Sequence, residues 1–222
     1  MSIVVLKVGG ASTGGVVAPV AALRAAGDAV CVVHGAGPQI SEEMTRLGLE
    51  VRFVGGRRVT TPEGLEVVRG SLAAVNAKVC AAIGPEAVPL AGDEVGLLAR
   101  HMPELGLVGS PLPSAPPAVL GALAGGRVPV LSPLAQGPLN VNADEAAAAL
   151  AVGIGADRIQ FMTDVPGVCQ DGALVRSISA ERAETLVGEG CFDGGIVPKL
   201  LAAAIAARSG LAAEIGSTAV IS

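Results

Sequence analysis

The chain has 222 residues, of which 51% are hydrophobic and 1% aromatic, and its formal net charge at pH 7 is −5. The acidic balance and the absence of Trp and Tyr argue against a nucleic-acid partner, which needs basic grooves and often aromatic stacking platforms. No apolar run of about 18 residues and no signal-peptide pattern is visible, so we expect a soluble cytoplasmic protein without a membrane partner.

Two strand–glycine–helix units open the chain. The first buried-type strand, Ile3–Val8, ends at Gly9 and Gly10, and a helical stretch follows. The second strand, Ala29–His34, ends at the sequence "GAG", and Pro38 then marks the start of a helix. This repetition predicts an α/β architecture built on a parallel sheet.

The middle of the chain contains the clearest helix start. Thr61 before Pro62 predicts an N-cap followed by proline at the first helical position, and the helix should run to about Ala82. From 84 to 117 the chain is rich in Pro and Gly, which predicts short strands and loops. The sequence "VPVL", Val128–Leu131, returns to the sheet.

Polar residues crowd the stretch "NVNADEAAAALA", which begins at Asn140. Asn142 can cap the apolar helix that follows, and Glu145, three positions on, can complete a capping box. This interpretation leaves Asn140 and Asp144 without a role. Their explanation has to come from elsewhere in the chain.

The last third predicts a strand at Arg158–Thr163, a turn at "DVPG", and a hairpin with Asp171 and Gly172 at its tip. Two helices, Ser179–Glu189 and Pro198–Arg208, come next. A final strand follows near "AVIS". We expect a single compact domain.

Two lysines stand where a cation is unfavourable without a partner. Lys7 lies inside an apolar strand, so it must reach the end of the strand or find an anion. Lys199 lies in the first turn of a predicted helix, where the dipole favours anions. A snorkelling edge lysine and a solvated surface lysine are the structural alternatives. Together the pair favours a shared anionic ligand.

The glycines after the first two strands suit phosphate contact, because backbone N–H groups can approach an anion closely there. Neither G-x-x-x-x-G-K-[ST] nor a complete G-x-G-x-x-G occurs, which makes a dinucleotide site a minor alternative. The four cysteines form no C-x-x-C pair and the chain has two histidines, so we predict no metal-ligand set and no disulfide framework.

Six short motifs carry a family resemblance: "LKVGG", "HGAGPQI", "GRRVT", "NVNADEAA", "TDVPGV" and "GGIVPK". In order and approximate spacing they resemble acetylglutamate kinases of the amino acid kinase family, over nearly the whole chain. The resemblance implies a three-layer αβα sandwich with a mostly parallel central sheet. It also implies a single domain over 1–222, with N-acetyl-L-glutamate held by a lobe of about 1–139 and MgATP by a lobe of about 140–222.

The implied reaction is ATP-dependent phosphorylation of the side-chain carboxylate of N-acetyl-L-glutamate, giving N-acetyl-L-glutamyl 5-phosphate in arginine biosynthesis. A carboxylate of reference pKa about 4.3 is already ionised at neutral pH, so this nucleophile needs no general base. His34 and His101 are therefore interpreted as structural. The remaining task is positioning and charge stabilisation around the transferring phosphoryl group.

The resemblance also assigns residues. Lys7 and Lys199 would contact the transferring phosphate from opposite sides, and Asp144 would orient both lysines. The residues implied for the substrate side are Gly35, Ala36, Arg58 and Asn140, with Arg58 on the α-carboxylate and Asn140 on the acetylamino group. The residues implied for the phosphates and the nucleotide are Gly9, Gly10, Thr163, Asp164, Gly167 and Gly195.

Several points stay open at the sequence level. The family usually has glycine where this chain has Ala36, and a positive φ there would cost roughly 1 kcal/mol. Arginine-inhibited members carry an additional N-terminal helix; because the first strand begins at Ile3, we expect a homodimer insensitive to arginine. The alternatives are a kinase for carrier-bound aminoadipate or another amino-acid carboxylate, and a non-catalytic protein that binds nucleotide or amino acid.

Overall fold

The computed structural model describes residues 2–10, 13–170 and 172–222. In these residues the chain forms eight α-helices, and two single-turn 3-10 helices lie at Thr13–Val16 and Pro103–Leu105. The α-helices are α1 (Val17–Ala25), α2 (Gly37–Arg46), α3 (Pro62–Ile83), α4 (Gly92–Val95), α5 (Pro117–Ala124), α6 (Ala143–Gly153), α7 (Ala180–Gly188) and α8 (Ile196–Arg208).

The same residues form sixteen strands, most of them short. They are β1 (Ile3–Val8), β2 (Ala29–His34), β3 (Phe53–Val54), β4 (Arg57–Arg58), β5 (Ala87–Ala91), β6 (Ala99–His101), β7 (Val108–Pro111), β8 (Val128–Ser132), β9 (Leu134–Ala135), β10 (Leu139–Val141), β11 (Arg158–Phe161), β12 (Cys169–Gln170), β13 (Ala173–Leu174), β14 (Ser177–Ser179), β15 (Ala212–Ile215) and β16 (Thr218–Ile221).

One large sheet organises the molecule. Its eight strands lie in the order β14-β16-β15-β11-β1-β2-β8-β5, and every neighbouring pair is parallel except β15 and β16. Smaller sheets are formed by β6-β7-β10-β9, by β12-β13 and by β3-β4. Because β1 is flanked by β2 and β11, the chain order reverses direction beside β1, and ligands of open α/β sheets bind at such points.

Helices cover both faces of the large sheet, so the predicted αβα sandwich is confirmed. Side chains from α1, α2 and α3 share a core with Val4 and Leu6, whereas side chains from α5, α6, α7 and α8 share a core with Val5. Alternate residues of a strand point to opposite faces. Lys7 therefore projects toward the face that α6 covers, the same face as Val5.

The predicted helix starts are confirmed at two positions. Thr61 Oγ1 accepts a hydrogen bond from Gly64 N, and Asn142 Oδ1 accepts from Asp144 N and Glu145 N. Such caps stabilise a helix by about 1 kcal/mol. The final helix begins at Ile196, two residues before the predicted Pro198.

The hairpin predicted after the turn is confirmed as β12 and β13, although its tip residue Asp171 lies outside the described residues. The strand β15, which forms an antiparallel pair with β16, was missing from the sequence interpretation. Within the described part of the chain, no helix combines the length and apolarity needed to cross a membrane.

Candidate active site

A cavity of about 430 Å³ lies at the carboxyl ends of β1 and β2. It is bounded by the hairpin β3-β4, by the N-termini of α2, α6 and α8, and by β10. The structure brings eleven of the thirteen predicted site residues to this cavity. They are Lys7, Gly9, Gly10, Gly35, Ala36, Arg58, Asn140, Asp144, Asp164, Gly195 and Lys199.

The two lysines of interest converge on one carboxylate. The sequence contains three lysines, and two of them meet here: Asp144 Oδ1 lies 2.8 Å from Lys7 Nζ and 3.8 Å from Lys199 Nζ. Lys7 and Asp144 are each 5% exposed, so water screens this ion pair little. The N-terminal position of Asp144 on α6 suits a negative charge. One carboxylate against two ammonium groups leaves positive charge for an anion.

Lys199 is held less tightly than Lys7. Its Nζ donates to Gly195 O at 3.2 Å, one turn back along α8. Burial lowers the pKa of Lys199 from its ordinary value; the carboxylates of Asp144 and Asp164 oppose this shift, while the neighbouring Lys7 adds to it. An anionic ligand between the two lysines would favour the charged form of Lys199.

The loop after β1 passes very close to the loop after β2. A Cβ added at Gly10 would lie 2.8 Å from Ala36 Cα and 2.9 Å from Gly35 O, so only glycine fits at position 10. Gly35 N–H is used within the sheet, since it donates to Val8 O at 3.0 Å. The free donors of this loop are therefore expected at the start of α2, where the first amides of any helix lack intrahelical partners.

Ala36 adopts φ −145° and ψ 28°, so the positive φ considered for it does not occur. Its methyl group is buried, with 2% of the residue exposed. The alanine at this position therefore carries no backbone strain, and its methyl packs in the core beneath α2 and α3.

Substituting Ala36 with glycine is accordingly expected to leave kcat unchanged. The free energy of unfolding should fall by about 0.4–1 kcal/mol, because glycine has more freedom in the unfolded chain. Urea unfolding together with steady-state kinetics checks this. A large rise in kcat for the glycine variant would instead mean that the methyl group obstructs the loop.

Arg58 and Asn140 line the same cavity as the two lysines. Arg58 Nη2 donates to Gly37 O at 3.1 Å and to Ser41 Oγ at 2.8 Å, and its guanidinium carbon lies 4.6 Å from the Phe53 ring centroid. Burial lowers the pKa of Arg58 from its ordinary value, but a guanidinium stays protonated in proteins. These contacts fix a planar cation at the edge of the cavity.

Asn140 is linked to Arg58 through a hydroxyl that the sequence did not single out. Thr60 Oγ1 donates to Arg58 O at 2.8 Å and accepts from Asn140 Nδ2 at 3.0 Å. With its amide nitrogen engaged, Asn140 keeps its carbonyl oxygen as an acceptor. Thr60 follows "GRRV" directly, but its role depends on a residue 80 positions away.

Two contacts attach the hairpin β3-β4 to the start of α6. Arg57 forms a two-pronged ion pair with Glu145, with Nη2–Oε1 and Nε–Oε2 distances of 2.8 and 3.2 Å. Asn142 Nδ2 donates to Gly56 O at 3.2 Å. Burial raises the pKa of Glu145, and Arg57 partly offsets that rise. The carboxylate of Glu145 therefore binds Arg57. A capping box would require this carboxylate to accept a hydrogen bond from the backbone N–H of Asn142, and no such bond is seen in the described residues.

Two predicted residues, Thr163 and Gly167, do not line this cavity. Gly167 instead lines a neighbouring groove of about 370 Å³ together with Val165, Phe192 and Ile196. The groove runs toward the start of α8, the helix that carries Lys199. Thr163 has only a weak contact, 3.5 Å from its Oγ1 to Val165 N.

Comparison with known proteins decides the family. The model of the amino acid kinase family matches residues 2–217. The chain belongs to the amino acid kinase family. It is 40% identical over 224 residues to the acetylglutamate kinase of Rubrobacter xylanophilus, covering 97% of this chain and 88% of that protein. Its identity to an acetylglutamate kinase of Thermus thermophilus is also 40%, over 92% of this chain and 86% of the relative.

A solved structure supports the same assignment. The crystal structure of a Streptococcus mutans protein superposes with a TM-score of 0.90 at 25% identity, covering 99% of this chain and 98% of the other. The resemblance seen in the six motifs is thus confirmed, as is the amino acid kinase fold. The 40% identical relatives, which are named acetylglutamate kinase, identify the chain as a kinase.

Proposed function

We infer that the chain catalyses the ATP-dependent phosphorylation of the side-chain carboxylate of N-acetyl-L-glutamate, giving N-acetyl-L-glutamyl 5-phosphate in arginine biosynthesis. The observation that carries this function is the placement of Asp144 between Lys7 and Lys199, in a cavity that also holds Arg58 and Asn140. The name of the 40% identical relatives supports the choice of substrate.

In this proposal the substrate carboxylate attacks the γ-phosphorus of ATP. One O–P bond forms, the bond from phosphorus to the oxygen that bridges the β- and γ-phosphates breaks, and ADP leaves without any proton transfer. The described residues of the cavity suit that reaction, because its cations and backbone amides can stabilise charge on the phosphoryl oxygens. Lys7 and Lys199 neutralise the charge that spreads over the phosphoryl oxygens, and Asp144 keeps the two ammonium groups in place.

The residues also fit a nucleotide. The close approach of Gly10 to Ala36 leaves backbone rather than side chains facing the phosphates, next to the N-terminus of α2. The groove with Val165, Phe192 and Ile196 offers an apolar wall for adenine. In the described residues no group of three or more His, Cys, Asp or Glu side chains could hold a metal ion. We therefore propose that Mg²⁺ is held chiefly by the phosphates of ATP, as is usual for this ion.

Arg58 is proposed to bind the α-carboxylate of the substrate and Asn140 its acetylamino group. Replacing Arg58 with lysine should raise KM for N-acetyl-L-glutamate about 10-fold or more, because lysine lacks the planar guanidinium that Gly37 O, Ser41 Oγ and the Phe53 ring hold at the edge of the cavity. KM for ATP should stay near the wild-type value. Equal increases in both KM values would contradict the assignment of Arg58 to the amino-acid side.

The decisive assay measures ATP-dependent acyl phosphate, trapped as the hydroxamate. N-acetyl-L-glutamate is compared with L-glutamate, L-aspartate and N-acetyl-aminoadipate under the same conditions. Turnover confined to N-acetyl-L-glutamate is the expected result. Preferential turnover of another carboxylate would keep the chemistry but change the pathway, and ATP binding without turnover would favour a non-catalytic protein.

The proposal also divides the chain into two lobes. The amino-acid side is assigned to about 1–139 and the nucleotide side to about 140–222, which places Lys7 and Arg58 in one lobe and Asp144 and Lys199 in the other.

We also propose a homodimer. Strand β5 is an edge of the large sheet, and beside it lies a mainly apolar cavity of about 510 Å³ against α3. Sedimentation equilibrium should give twice the mass of the chain.

A further inference from the structure

A cluster of polar side chains is buried directly behind the loop that follows β2. His34, at the end of the strand, is 0% exposed, and Asn76 of α3 and Ser132 of β8 are 5% and 4% exposed. His34 Nε2 lies 3.0 Å from Asn76 Nδ2 and 3.2 Å from Ser132 Oγ. His34 Nδ1 faces the opposite way, 3.4 Å from Gly35 O. Burying polar groups is costly unless each has a partner.

The orientation of Asn76 is determined by its surroundings. Its Nδ2 lies 2.9 Å from Val130 O, which can only accept, so the amide nitrogen must be on that side. The amide oxygen then receives the Cys80 thiol at 3.4 Å. Because Nδ2 is a donor, His34 Nε2 must be the acceptor of the pair.

The protonation of His34 follows from this arrangement. A neutral imidazole whose Nε2 accepts a hydrogen bond carries its proton on Nδ1, so Nδ1–H is the donor to Gly35 O. Burial lowers the pKa of His34 to about 4, which keeps the ring neutral at physiological pH. The hydrogen bonds therefore select one tautomer of His34.

The contact to Gly35 O has a consequence on the other side of the same peptide bond. A trans peptide is planar, and its C=O and N–H groups point in opposite directions. When Gly35 O is held toward His34, the N–H of Ala36 is directed away from His34. Gly35 and Ala36 both line the cavity that contains Lys7 and Lys199.

We propose that His34 is a positioning residue for phosphoryl transfer: fixed as the Nδ1–H tautomer by Asn76, it holds the Gly35–Ala36 peptide so that Ala36 N–H points at the transferring phosphate. This role rests on the proposed kinase function. His34 touches no reacting atom and acts only through the peptide.

The tautomer can be measured without any turnover. The chain has two histidines, so ¹⁵N-labelled imidazole gives two spin systems in a long-range ¹H–¹⁵N spectrum. We expect His34 as Nδ1–H, unchanged from about pH 8 to about pH 5. The exposed His101, whose Nε2 lies 2.8 Å from Gly106 O, should show the opposite tautomer and serves as the internal reference. An Nε2–H or charged His34 over this range would overturn the proposal.

Kinetics of two matched variants test the consequence. In His34→Asn the amide nitrogen takes the place of Nδ1 and can still donate to Gly35 O. In His34→Gln the amide oxygen takes the place of Nε2 and can accept from Asn76, but no donor to Gly35 O remains. We expect His34→Asn to keep most of kcat, and His34→Gln to lose about 10- to 100-fold in kcat with little change in KM for N-acetyl-L-glutamate. Urea midpoints are compared to separate loss of folding.

The result that contradicts the proposal is equal activity of the two variants, or higher activity of His34→Gln, since a role confined to satisfying Asn76 would favour glutamine. Failure of the kinase function itself is distinguished by the wild-type protein: it would show no turnover of any carboxylate while the tautomer of His34 is still read from the spectrum.

Discussion

Replacing Lys199 with methionine is expected to lower kcat by about 10²- to 10³-fold, the usual loss when one group that stabilises transition-state charge is removed. The fold should be little affected, because Lys7 still pairs with Asp144 at 2.8 Å after the change. KM for N-acetyl-L-glutamate should change little, since Arg58 and Asn140 remain. Steady-state kinetics by the hydroxamate assay and a urea unfolding curve are the two measurements.

The chain offers a matched control for this change. Lys78, the third lysine, is exposed on α3 and lies away from the cavity, so Lys78→Met removes the same charge without touching the site. Its kcat should equal that of the wild type. A similar loss in both variants would show that net charge, rather than the position of Lys199, governs the rate.

The lowered pKa of Lys199 adds a pH signature. Only the protonated amine stabilises phosphoryl charge, so kcat/KM, which reports the ligand-free protein, should fall as the pH rises through the pKa of Lys199, at a lower pH than for an ordinary lysine. Lys199→Arg stays protonated throughout and should lose this alkaline fall, although its overall rate is lower. An unchanged alkaline limb in the arginine variant would assign the titration to another group.

Residues whose sequence context was chemically unfavourable were the predictable ones. Lys7 in an apolar strand and Lys199 near a helix start together favoured an anionic partner, and the structure places both beside Asp144. Asp144 could be singled out because an N-cap at Asn142 leaves the carboxylate of Asp144 without a role. In each case the local secondary structure leaves a charged side chain without a partner, and such a side chain can be recognised from the sequence alone.

Residues satisfied by distant partners were not predictable. Glu145 fits a capping box in sequence, yet its carboxylate binds Arg57, 88 positions away. The partner of His34 is Asn76, whose position inside α3 looks like any polar residue of a helix. Such pairs depend on how helices pack across the sheet, and periodicity records only which face of a helix is apolar.

The family resemblance filled part of that gap and left part of it open. It indicated Arg58 and Asn140, which line the cavity as expected, but the hydroxyl of Thr60 that connects them appeared only in the structure. It also raised the question of backbone strain at Ala36, which the observed φ of −145° answers. A motif specifies residue types and spacing, whereas strain and hydrogen bonding depend on the backbone conformation.

The buried ion pair of Lys7 and Asp144 should matter for both stability and activity. Lys7→Met leaves Asp144 with only the more distant Lys199, and Asp144→Leu leaves Lys7 buried beside a second ammonium group. Each single variant should be destabilised by about 3–5 kcal/mol, the usual cost of removing one partner of a buried ion pair. Each should also lose at least about 10²-fold in kcat, because the phosphate-binding cation is missing or misplaced.

The double variant Lys7→Met/Asp144→Leu separates the two effects. With both charges removed from the buried site, stability should return close to the wild-type value, since burying two charges costs nearly as much as their attraction provides. Activity should stay lost, because no cation remains on the β1 side of the phosphate. Urea unfolding of all four proteins completes the cycle. A double variant as unstable as the single ones would mean that the pair shapes the core, whereas recovery of stability without activity would mean that the pair is maintained for phosphoryl transfer.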